Sequence, residues 1–164
     1  MSDEWSEKSV PWITKDGLLD VAKLPFEGIL MQAMASDAET FHSGVVILRM
    51  MYERGRKEAG VFLLGLLVAS DDDLDRRLMI VEVLSSVQTE ACARLLFAEL
   101  RRIKSSNTTR RYLISVIKVL AAMPAELVQE GFEALAEDSS FSYRMRGKFR
   151  AAAARFDDLP ADWL

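Results

Sequence analysis

Four segments of this chain superimpose in register. They start at Asp37, Asp71, Ser105 and Asp138, at intervals of 34, 34 and 33 residues. Six residues into each stands Ser43, Arg77, Arg111 or Arg144, and an apolar stretch of helical spacing follows. A repeat of this length is one helix hairpin, whose apolar stripe is too wide to hide alone, so neighbouring copies must stack to cover it. The expectation is an all-α chain: a short right-handed α-solenoid of about four helix pairs. Such a fold presents a surface rather than enclosing a reaction site.

The rest of the chain fits around that repeat. Residues 1–24 read as a polar N-terminal arm, pinned by Trp5 and Trp12, and a short capping helix over Asp16 to Lys23 between Gly17 and Pro25. Residues 25–156 hold the repeats, with helices expected over 25–36, 40–54, 56–69, 74–87, 89–102, 108–123, 124–137 and 141–156. Gly55 stops the second of these and Thr89 caps the fifth. Residues 157–164 form a tail. No sustained alternation and no Asn-Gly or Asp-Gly hairpin turn marks a strand. At 164 residues, half of them apolar, the chain is expected to be one domain with a sizeable core.

The turn chemistry carries a family resemblance. Asp71-Asp72-Asp73-Leu74-Asp75-Arg76-Arg77 and Asp138-Ser139-Ser140-Phe141-Ser142-Tyr143-Arg144 resemble the turn inside a HEAT repeat, where an Asp opens the turn and an Arg follows six residues later. The third copy has Ser105 with Arg111, and the first has Asp37 with Ser43 in place of the Arg. Armadillo repeats are a close relation, although they commonly add a third short helix; the Trp, Gly and Tyr pattern of tetratricopeptide repeats is missing. The resemblance implies a structural job for Asp37, Asp71, Asp138, Arg77, Arg111 and Arg144. The acids receive backbone N–H groups at helix starts, and the arginines donate to neighbouring turns and tie the stack together. It also implies that the second helix of each pair lines the concave side.

Catalytic chemistry has little to work with. One histidine, His42, cannot form a metal cluster and reads as a solvated or capping residue. The single Cys92 lies among Ala91, Ala93 and Leu95 as a small buried hydrophobe, and it excludes an intrachain disulfide, which points to a reducing, cytoplasmic compartment. The acids at 71, 72, 73 and 75 lack the Gly and terminal Glu of a calcium loop. No phosphate loop or nucleophile elbow is present. The expectation is therefore a non-enzyme with no cofactor and no metal. The longest apolar run, Ala59 to Ala69, is eleven residues, against about twenty for a spanning helix. The first residues also lack the apolar core of a signal peptide. The methionines other than Met1 are expected mainly in the core.

Charge patterning supplies the candidate binding surface. Net charge is −4, which disfavours nucleic acid and anionic membrane as partners of the whole chain. Basic residues nevertheless cluster locally: 94–111 holds six bases and one acid, and 141–155 holds five bases and none. Arg76-Arg77 and Arg110-Arg111 recur one repeat apart, and stacked helices would set them in a ladder about 10 Å apart. Arg76, Arg110, Tyr143, Arg146 and Arg150 are the candidate partner-binding residues, as a stripe for carboxylate or phosphate. The expected role is a protein-binding adaptor or scaffold, a partner with an acidic segment being the natural fit. Self-association through the solenoid ends is a further option. The alternatives are a nucleic-acid-binding HEAT-like protein, or an accessory subunit of a chromophore lyase-type enzyme.

Overall fold

The computed structural model describes residues 11–70 and 72–154. Eight α-helices account for most of them: α1 (Phe26–Ala33), α2 (Ala38–Glu53), α3 (Lys57–Ala69), α4 (Leu74–Val83), α5 (Glu90–Arg102), α6 (Arg110–Ala121), α7 (Ala125–Glu137) and α8 (Tyr143–Ala153). No strand occurs among the described residues; an isolated bridge joins Ile13 and Leu19. No helix among them is long and apolar enough to cross a membrane. The chain divides into two compact units, Met1–Leu66 and Leu67–Leu164, and passes from one to the other within α3.

In the first unit, the helix expected over Asp16 to Lys23 is a turn instead. Gly17 takes φ +78°, a conformation open to glycine. Its N–H reaches the Thr14 carbonyl at 2.9 Å, and the Thr14 N–H reaches the Leu18 carbonyl at 2.8 Å. Only Val21–Lys23 is helical, as one 3-10 turn capped by Asp20. A positive-φ glycine one residue into a short segment leaves too few residues for an α-nucleus.

Helices α1 and α2 form a close hairpin. A Cβ built on Gly44 would lie 2.3 Å from the Ala33 backbone nitrogen, so glycine permits the approach. Phe41, Val45, Leu48 and Met51 are buried along α2, at the 3- and 4-residue spacing of one helix face. Arg56, just past the Gly55 stop, donates Nη1 to the carbonyls of Ala22 and Leu24 at 2.8 and 3.0 Å. Its guanidinium lies 4.0 Å over the Phe26 ring, and Phe26 packs edge-on against Phe62 at 4.9 Å. One arginine thus ties the 3-10 turn, α1 and α3 together.

Helix α3 is apolar on every side. Ala59, Leu63 and Leu67 are buried, whereas Val61 and Val68 are each 69% exposed. Two methionines also depart from the expected core: Met31 and Met34 are exposed on and just past α1, while Met51 and Met123 are buried.

The second unit is built around α6. Helix α4 packs on α6 and α6 on α8; α5 packs on both α6 and α7, and α7 pairs with α8. Tyr112, Leu113, Ile114, Val116, Ile117, Val119 and Leu120 of α6 are all buried. Burying that set contributes roughly 10–20 kcal/mol of transfer free energy, before conformational entropy opposes it. Between α5 and α7, the Phe97 ring meets Phe132 edge-on at 5.1 Å. Gly131 makes room for it, since a Cβ there would fall 2.4 Å from the Phe97 ring.

Candidate functional site

Two clusters of charged side chains stand out in the second unit, and they have opposite characters. The first is largely buried, with a hollow of about 410 Å³ beside it. Arg77 on α4 and Glu99 on α5 are 3% and 5% exposed. The Arg77 Nη2 meets Glu99 Oε1 at 2.6 Å, and its Nη1 donates to the Leu67 carbonyl at 3.0 Å and to the Ser70 carbonyl. The Tyr112 hydroxyl donates to Glu99 Oε2 at 2.5 Å, and Arg102 Nε reaches Oε1 at 3.2 Å. Burial raises the Glu99 pKa, but hydrogen bonds from Arg77, Tyr112 and Arg102 outweigh it and hold the carboxyl below its ordinary value. Burial first, then the Glu99 carboxylate, pushes the Tyr112 phenol well up. The charges satisfy one another, so this cluster is a structural tie between α4, α5, α6 and the end of α3.

The second cluster is open. Two adjoining hollows, of about 110 and 390 Å³, lie where the α5 end, the α6 start and the α8 start meet, and they share Ser105, Leu113, Ser142 and Met145. Their floor is apolar, from Leu100 and Ile103 through Leu113 to Phe141 and Met145. Arg110, Arg144 and Lys148 line one end, and Arg101 and Lys104 line the other. No acidic side chain among the described residues lines either hollow.

Helix electrostatics sharpen that picture. The first turns of α1, α2, α3, α4, α5 and α7 each carry an acid: Glu27, Glu39, Glu58, Asp75, Glu90 and Glu126. Those of α6 and α8 carry none and hold Arg110, Arg111 and Arg144 instead. A helix N-terminus has partial positive charge, so a cation there is disfavoured by about 0.3–1 kcal/mol. The two helices that open on the groove are the two whose first turns hold bases with no acid beside them; Lys57 of α3 and Arg76 of α4 each have one.

Among the described residues, each one singled out by sequence has a definite place. Arg110 lines the groove. Arg76 is half-buried and paired with Asp73 at 3.7 Å. Tyr143 is 80% exposed, Arg150 is exposed and Arg146 is half-buried with its Nε shielded from solvent; none of these four lines the hollows. Among the motif residues, Asp37 caps α2 by accepting from the Thr40 N–H at 2.8 Å. The Thr40 hydroxyl and N–H hold its carboxyl below the usual range. Asp71 lies outside the described residues, and Asp73 is the cap of α4. Asp138 accepts from the Ser140 N–H at 2.9 Å, while Ser142 caps α8. Arg77 is buried, but Arg111 and Arg144 are exposed. Trp5, Arg155 and the 157–164 tail also lie outside the described residues.

Sequence reasoning passed over Glu99 and the apolar floor, and it counted Lys148, Arg101 and Lys104 in the basic clusters without naming them as candidates. Glu99 had a signal: it follows Cys92 and Leu96 by seven and three residues, so it falls on the apolar face of α5 and needs a buried partner. Lys148 and Arg144 had another, the acid-free opening of α8. His42 is exposed on α2. Cys92 is fully buried, and burial raises its thiol pKa to about 12, which keeps it protonated and unreactive near neutrality. Among the described residues, no three His, Cys, Asp or Glu side chains gather to hold a metal ion.

The chain matches no protein-family model, no curated protein and no solved structure with which it was compared.

Proposed function

We propose that this chain is a non-catalytic adaptor or scaffold, a short right-handed HEAT-like α-solenoid that offers a helical surface to a protein partner in the cytoplasm. One observation carries the reading: cations from α5, α6 and α8 converge on a groove with an apolar floor. Protein interfaces combine apolar anchors with charged rims in this way. The packing of α4 on α6 and α6 on α8, beside α5 on α7, supports the stacked-hairpin reading. It is the contact pattern expected when equivalent helices of successive pairs lie side by side.

The test is capture by the immobilised chain from lysate of its native cell, compared with an R110E/R144E variant and read by mass spectrometry. Partners retained by the wild type should be missing from the variant, whose circular dichroism stays native and whose Tm does not fall. An identical set of captured proteins would overturn the reading.

A further inference from the structure

We infer that the groove between the α5 end, the α6 start and the α8 start takes an acidic peptide segment carrying a bulky apolar side chain. This deepens the protein-binding reading above and rests on it. The larger hollow, about 390 Å³, falls in the range of pockets that enclose a ligand group, roughly 300–1,000 Å³. Its floor of Leu100, Leu113, Phe141 and Met145 offers nothing to a charge and a good deal to a Leu or Trp side chain. The cations stand at both ends of that floor, Arg110 and Arg144 at one and Arg101 and Lys104 at the other. A ligand that alternates carboxylate, apolar anchor and carboxylate matches this order. A small phosphate compound matches only one end of it.

Nucleic acid fits the same lining less well. Single strands are held by aromatic faces on which bases stack. The aromatic ring in the floor, Phe141, is half-buried and packs edge-to-face with Phe149 at 5.0 Å. Double-stranded binding needs a long cationic track, whereas the net charge here is −4. The groove also explains the α6 and α8 openings. Bases at helix N-termini weaken the fold slightly, and in return Arg110 and Arg144 stand where a carboxylate would meet both their charge and the positive end of a helix.

The experiment measures binding of a fluorescein-labelled synthetic peptide, one tryptophan flanked on each side by glutamates, to the full chain by anisotropy. The wild type should bind it saturably. Replacing the tryptophan by serine, or the glutamates by lysine, should each abolish binding. R110E/R144E should weaken it at least about tenfold, equivalent to about 1.4 kcal/mol, with Tm unchanged or raised. Met145→Trp should block the groove without altering charge and give a comparable loss. Equal binding of the serine peptide would overturn the apolar anchor. Equal or tighter binding of single-stranded DNA of the same charge would make the groove a nucleic-acid site. A dimer of the free chain that R110E/R144E splits would make it a self-interface. No binding by the wild type would overturn this ligand class while leaving the adaptor reading to stand or fall on the capture experiment.

Discussion

Arg77 and Arg111 occupy the same position of the repeat and live in different worlds. Arg77 is 3% exposed, gripped by Glu99, covered by the Tyr112 ring 6.0 Å away and bonded to two carbonyls of the preceding turn. Arg111 is exposed. Yet Glu133 follows Arg111 by the same 22 residues that separate Glu99 from Arg77, and Glu133 is exposed too. The difference lies in the cover. Tyr112 stands 35 residues after Arg77; the residue 35 after Arg111 is Arg146, a cation where the other copy has a ring. Desolvating a guanidinium needs a partner carboxylate and an apolar lid together, and only one of the two positions has both. In the first unit the half-buried Arg56 is met instead by two carbonyls and a phenyl face.

That contrast can be broken most forcefully at its buried end. Arg77→Ala strands Glu99 in the core and should cost about 3–5 kcal/mol, whereas Arg111→Ala should stay within about 0.5 kcal/mol. Urea unfolding of both variants reads the difference, and equal losses would mean that the register, rather than the environment, sets the role. Tyr112→Phe keeps the ring over Arg77 but removes the hydroxyl bonded to a carboxylate, an expected loss of about 1.5–3 kcal/mol in the same assay.

Acid sharpens the comparison further. The folded Glu99 carboxyl lies below its ordinary 4.5, so its contribution is complete above about that pH and drains away as pH falls through the folded value. Wild-type stability should therefore decline through this acid window. Glu99→Gln should flatten that decline, with thermal melts at several pH values as the measurement. At the exposed end the effect is small and has the opposite sign. Arg110→Glu and Arg144→Glu place acids in the first turns of α6 and α8 and should raise stability by about 0.3–1 kcal/mol each. A calorimetric Tm that falls instead would show that these arginines hold the fold and do not stand ready for a ligand.

Much of the local structure was legible from the chain. Thr89 capping α5 and Gly55 ending α2 follow from donor groups and φ preferences within a few residues. The long helices fall within a few residues of the expected ranges because their apolar spacing extends over several turns. The 16–23 segment failed for a local reason as well: Gly17 prefers the turn that Thr14 closes with its hydroxyl, which accepts from the Leu18 N–H at 3.0 Å. The run of aspartates before α4 offers several equivalent oxygens by sequence, and chain geometry makes Asp73 the cap. The candidate site was legible in part: Arg110, named from the charge ladder, lines the groove, and so does Arg144, which was read as a structural tie.

The sequence alone determined, to within a few residues, where the long helices begin and stop, and that apolar stretches recur every 33 or 34 residues. Those properties arise from bonds and contacts a few residues apart. Which arginine is buried, and where the others converge, was decided only by the tertiary structure. An ion's environment is a sum over side chains from several helices, here α4, α5 and α6 around Glu99, and no local window of the chain contains that sum.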